Sequence, residues 1–137
     1  MKIYIASGFF NEDQETIRQE MLTTCTELWH DVYSPKEDFL YVPGITSPEE
    51  VFMENLTQIS KCDVVLASTE GKDMGTVWEC GYAYARGIPI VYYYPHPGLF
   101  NLMLAQSARA VIKSTEELHQ YLVDGTLKHI PYVGDIE

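Results

Sequence analysis

The chain has 137 residues, 46% of them hydrophobic, enough for one domain (1–137) around a single core and too few for two of ordinary size. Nine Lys and Arg against twenty Asp and Glu give a formal net charge of -11, which repels a nucleic-acid backbone and disfavours a substrate carrying several phosphates. The strand-like start Met1-Lys2-Ile3-Tyr4 and the lack of any long apolar stretch predict no membrane span and a soluble, cytoplasmic protein.

Lys2 to Ala6 forms the first short apolar run, ahead of the loop Ser7-Gly8-Phe9-Phe10-Asn11-Glu12. A helix is expected from about Asp13 to Trp29, then a second strand over Asp31 to Tyr33. The following segment, Ser34 to Ser47, holds Pro35, Pro43 and Gly44, and its length marks it as a lid or binding loop. Pro48 opens the next helix, where the first turn has no N–H bond to lose, and periodicity carries it to Ser60. Asp63 to Ala67 is expected to be a buried strand, followed by the loop from Ser68 to Asp73 and a helix over Gly75 to Arg86. Ile88 to Tyr94 and Ala110 to Ile112 complete the strands; Asn101 could cap a short helix between them, and Thr115 to Val123 forms the last helix. Short strands alternating with helices define an α/β fold, with a mostly parallel sheet and helices on both faces. A flavodoxin-like order of 2-1-3-4-5 is expected, with a ligand crevice at the strand carboxyl ends.

Two positions break the pattern of a plain core. Glu79 lies among Val77, Trp78, Cys80 and Gly81 in a helix whose Trp78, Tyr82 and Ala85 fall at i, i+4 and i+7, so burying it needs a reason. A helix N-terminus favours an anion and supplies part of that reason; the alternative is a surface acid that complements the dipole. Asn55 lies four residues from both Val51 and Ile59 and should face inward, either to serve a ligand or to tie down a neighbouring loop. Phe9 and Phe10 suit stacking on a flat ring, or are ordinary core residues. The same loop has no GxGxxG or P-loop pattern to wrap a diphosphate. Asp73 is placed to cap the helix that follows. Cys25, Cys62 and Cys80 lack ligand spacing and are read as reduced structural residues, and the four scattered histidines suggest no metal.

Several blocks together resemble the nucleoside 2-deoxyribosyltransferases. They are Ile3-Tyr4-Ile5-Ala6-Ser7 with Phe9-Phe10-Asn11-Glu12, Tyr33-Ser34-Pro35, Asn55 to Asp63, Asp73-x-Gly75-Thr76-x-Trp78-Glu79-x-Gly81, and Asn101-Leu102-Met103. The resemblance implies transfer of a 2'-deoxyribosyl group between nucleobases, through a covalent intermediate and with retention at the anomeric carbon. It implies Glu79 as the nucleophile, Tyr4 as the phenol that holds that carboxylate, and Asp73 and Asn101 as sugar-hydroxyl partners, the asparagine reaching a neighbouring subunit's site. Gly8, Phe10 and Gln14 fall in the base-binding loop, and Asn55 falls at a base-binding position. No cofactor is implied; the partners are a 2'-deoxynucleoside, a free nucleobase and further copies of the chain, often in a hexamer built from dimers. The C-terminal Ile130 to Glu137 is expected either at such an interface or as a frayed end.

One departure concerns the base. Several members carry aspartate where this chain has Asn55, and an amide donates a hydrogen bond without being a proton source. Two other functions compete with transfer. An N-glycosidase acting on deoxynucleosides or deoxynucleotides would let water replace the second base. A non-catalytic nucleotide-binding domain on the same fold would have no need of Glu79, Tyr4 and Asp73 together.

Overall fold

Five strands form one sheet: β1 (Lys2–Ser7), β2 (Asp31–Tyr33), β3 (Val64–Ser68), β4 (Ile90–Tyr93) and β5 (Ala110–Ile112). Their order is β2-β1-β3-β4-β5 and every pairing is parallel, in a computed structural model that describes Met1 to Glu137. This is the expected flavodoxin-like arrangement, parallel throughout rather than mostly so. The helices are α1 (Glu12–Glu27), α2 (Pro35–Asp38), α3 (Pro48–Lys61), α4 (Met74–Ala85), α5 (Leu102–Ser107) and α6 (Thr115–Val123). None is long and apolar enough to cross a membrane.

Strand parity divides the core and thereby aims the site. Successive strand side chains point to opposite faces, so Ile3 and Ile5 of β1 pack with Ile17, Met21 and Cys25 of α1 and Leu118 of α6. Tyr4 and Ala6 take the other face, with Ile59 of α3 and Cys80 and Ala83 of α4. An even position on β1 is what turns Tyr4 toward α4. Both faces of the central strands are covered, which explains why β3 reads Val-Val-Leu-Ala-Ser with no alternation and is buried along its whole length.

Helix starts follow the local chemistry. Asn11 caps α1 by accepting from the Gln14 N–H, and Ser47 and Glu50 form a reciprocal capping box ahead of Pro48 in α3. Three sequence expectations are corrected. The segment after β2 is not wholly a loop, because Pro35 starts the four-residue helix α2 with Ser34 as its cap residue. In α4 the buried side chains are Thr76, Cys80 and Ala83, whereas Trp78 is 51% exposed and stacks on Tyr82 at 5.8 Å between ring centroids. The i, i+4, i+7 stripe therefore marks a partly open face and not the core. Finally, the C-terminal segment is not a frayed end: Phe100 N–H donates to Asp135 O at 3.0 Å and Glu137 N–H to Phe100 O at 3.1 Å. The ring of Tyr132 packs on Phe100 at 5.6 Å.

Candidate functional site

The strand order reverses direction between β1 and β3, and the loops that follow these two strands splay apart at their carboxyl ends. A cavity of about 600 Å³ opens there, within the range of small-molecule sites. Phe9 and Phe10 form one aromatic side; Pro35, Phe39, Leu40 and Tyr41 form another; α3 contributes Val51, Phe52, Asn55, Leu56 and Ile59. The α3 stripe that looked like core is thus a cavity wall. Asp73, Trp78 and Glu79 enter from α4, and Ser7 from the end of β1. No lysine, arginine or histidine lines the cavity. A groove of about 650 Å³ along α1 is lined by glutamates, threonines and a glutamine without one apolar residue, so nothing there would desolvate a ligand.

Glu79 is half-buried, and its carboxylate accepts a short hydrogen bond from the Tyr4 hydroxyl. Burial raises its pKa to about 7; the Tyr4 bond lowers it and the Asp73 charge raises it further. The expected contribution of the helix N-terminus is smaller than the sequence suggests. Because α4 starts at Met74, Glu79 lies in its second turn, past the free N–H groups, and the dipole fades within the first. Tyr4 itself is fully buried, and desolvation together with the nearby Glu79 charge drives its pKa strongly upward, so it remains a donor. Its ring stacks on Tyr33 at 5.5 Å. Burial likewise pushes Tyr33 up to about 12, and its hydroxyl donates to Asn55 Oδ1 at 3.3 Å. Two stacked phenols thus orient two polar groups of the cavity, a carboxylate and an amide.

Asp73 is both a cap and a cavity residue. It accepts from Thr76 N–H at 3.0 Å and Thr76 Oγ1 at 2.7 Å, which fixes its carboxylate at the mouth of α4. Phe10 lines the cavity and is 76% exposed, so the core alternative for this loop does not apply. Gln14 and Gly8 lie behind that wall and do not line the cavity. Gln14 is 5% exposed, accepts from Phe10 N–H at 2.8 Å and donates to Glu70 O at 3.0 Å, bracing the loops after β1 and β3 against each other. Its side chain passes within 2.5 Å of where a Cβ on Gly8 would sit and 2.8 Å of one on Gly71, whose φ is +70°. The glycines make room for the glutamine. Asn101 also lies outside the cavity of its own chain and caps α5, accepting from Met103 N–H at 2.9 Å and Leu104 N–H at 3.2 Å. Ser7 and Trp78 also line the cavity without having been singled out in the sequence, which puts the first in the loop after β1 and the second on the apolar stripe of its helix.

A parallel α/β sheet with a carboxylate and a phenol paired in an apolar crevice at its switch point defines a class of small-molecule enzyme folds. Within that class the assignment is specific: residues 3–114 match the nucleoside 2-deoxyribosyltransferase family, and the chain belongs to it. The chain is similar to a 2-deoxyribosyltransferase from the psychrotolerant bacterium Bacillus psychrosaccharolyticus. The two are 32% identical, with a TM-score of 0.86 over 97% of this chain and 100% of that one. It shares its fold with a 2-deoxyribosyltransferase from Leishmania mexicana, at 21% identity and a TM-score of 0.69 over 91% and 98% of the two chains. It also shares the fold with a CMP N-glycosidase from Clostridium botulinum, at 18% identity and a TM-score of 0.61 over 89% and 98%. No curated protein matches it by sequence.

Proposed function

We propose that this protein transfers a 2'-deoxyribosyl group from one nucleobase to another through a covalent intermediate on Glu79. The observation that carries the reading is the Tyr4-held Glu79 carboxylate facing an aromatic cavity. In the first displacement a Glu79 oxygen attacks C1', forms an ester and expels the base with the electrons of its glycosidic bond. In the second, a nitrogen of the incoming base attacks C1' from the opposite face and releases the carboxylate; two inversions give retention. Asp73 binds a sugar hydroxyl, Phe10 covers the base, and the Asn55 amide, held by Tyr33, meets the base edge. Gln14 and Gly8 act indirectly by seating Phe10. The relative from Bacillus psychrosaccharolyticus supports transfer. The absence of a cation from the lining favours unphosphorylated nucleosides over the phosphorylated substrate named for the Clostridium botulinum enzyme.

Thymidine plus adenine, and deoxyinosine plus adenine, are incubated with the purified protein and the products separated by chromatography. Deoxyadenosine from either donor supports transfer. Free base and deoxyribose without a new nucleoside would show a hydrolase, and no reaction from any donor would leave a binding domain.

In this reading Asn101 serves a neighbouring copy's cavity, with a homo-oligomer as the active form. Substitution separates that role from capping. Asn101→Asp keeps the cap, since the two residues rank alike there, but removes the amide donor. Unchanged thermal stability with KM for the deoxynucleoside raised about tenfold is expected, the scale of one lost hydrogen bond. Unaltered kinetic constants would count against the role.

A further inference from the structure

Arg18 is only 2% exposed, yet it carries a permanent charge that takes no part in the chemistry proposed above. A guanidinium is buried only with partners, so the partners indicate its purpose. Its Nε and Nη2 donate to the Glu15 carboxylate at 3.0 and 2.8 Å, within α1. Its Nη1 crosses to α2, where it meets both oxygens of Glu37 at 2.5 and 2.7 Å and lies 3.3 Å from the Ser34 hydroxyl. Lys36 of α2 pairs in turn with Glu15, tying the same two elements a second time. Glu37, Arg18, Glu15 and Lys36 thus alternate in sign across the gap.

The tie matters because α2 has little else to hold it. None of its residues is buried, and the chain runs directly from it into Phe39, Leu40 and Tyr41, which with Pro35 form one wall of the cavity. A helix that buries none of its own residues takes much of its position from the ions that hold it. The planar five-donor fork of arginine suits two carboxylates and a hydroxyl at once. We propose that Arg18 is a positioning residue: it pins α2 so that the aromatic wall closes on a nucleobase, setting affinity and leaving the chemical step alone. The identity of the ligand rests on the transfer reading; the pinning of the wall does not.

Arg18→Met leaves two carboxylates without their cation and risks the fold, so the decisive variant is Glu37→Gln, at a side chain 45% exposed. It strips the charge from the arm to α2, leaving Arg18 a single neutral acceptor there in place of a carboxylate, and keeps the arm to Glu15. Loss of a hydrogen-bonded charge pair predicts a KM for thymidine raised about tenfold with kcat held within about twofold. Hydrogen exchange should quicken at residues 35–41 and stay unchanged in β1 and β3. Unchanged exchange at 35–41 overturns the proposal, as does faster exchange throughout the sheet, or a fall in kcat at constant KM. If the wild type turns over no deoxynucleoside, the transfer reading alone has failed. Exchange at 35–41 then decides the pinning, and calorimetry with adenine replaces KM: weaker binding by Glu37→Gln supports it, and equal binding overturns it.

Discussion

Glu79→Gln is expected to abolish base exchange while making the protein more stable above neutral pH. The loss should be on the order of 10⁴-fold or more in kcat, the scale seen when a covalent nucleophile is deleted, because the amide cannot form the ester. The gain follows from linkage. Burial raises the Glu79 pKa to about 7 from its ordinary 4.5, so the folded state binds a proton more tightly than the unfolded chain does. That preference is fully present below the unfolded pKa and is lost as pH rises through about 7, where the folded protein must hold a partly buried charge. A neutral glutamine removes that cost, on the order of 3 kcal/mol at pH 8, and still offers Tyr4 an acceptor. Denaturant titration at pH 5 and pH 8 checks this: the variant's advantage should grow with pH. Full inactivation without any gain at pH 8 would mean that Glu79 is better solvated than its half-buried position indicates.

The expected gain also shows why the site was only partly legible in the sequence. Strand and helix positions followed from periodicity and breakers, since β1 to β5 are short, apolar and separated by helices. Glu79 stood out as a carboxylate in an apolar context. Its partner lies 75 positions away on β1, a pairing that periodicity cannot deliver; the family resemblance supplied it. Trp78 was misread because a helix bordering a cavity has an apolar face that is only half covered, and its periodicity is the same as that of a core face. Gln14 and Gly8 were singled out only by the family resemblance, which implies a place in the base-binding loop. Whether a residue touches the ligand or braces the one that does depends on side-chain packing, and Gln14 bonds to Glu70, 56 residues distant. Arg18 gave no signal at all, because an arginine in an amphipathic helix is ordinarily a solvent residue.

Tyr4→Phe should move the pH profile of kcat/KM in one direction and Asp73→Asn in the other. In the proposed mechanism Glu79 attacks only as the carboxylate, so activity should rise with pH through a limb near its pKa of about 7. The Tyr4 bond lowers that pKa. Phenylalanine keeps the ring stack on Tyr33 and removes the donor, so the limb moves to higher pH. A hydrogen bond to a charged group is worth about 1.5–3 kcal/mol, which corresponds to a loss of about 10- to 100-fold at pH 6 and to much less at pH 9. The Asp73 charge raises the Glu79 pKa, and asparagine removes that charge while capping α4 equally well; its limb therefore moves to lower pH even as weaker sugar binding lowers the plateau. The phenol thus trades intrinsic nucleophilicity, which a bonded carboxylate partly gives up, for a larger ionised population near neutrality. A uniform loss in Tyr4→Phe at every pH would contradict that trade. It would mean that the hydroxyl acts on the transition state itself, for example by holding the carboxylate oxygen in line with C1', and not on the protonation of Glu79.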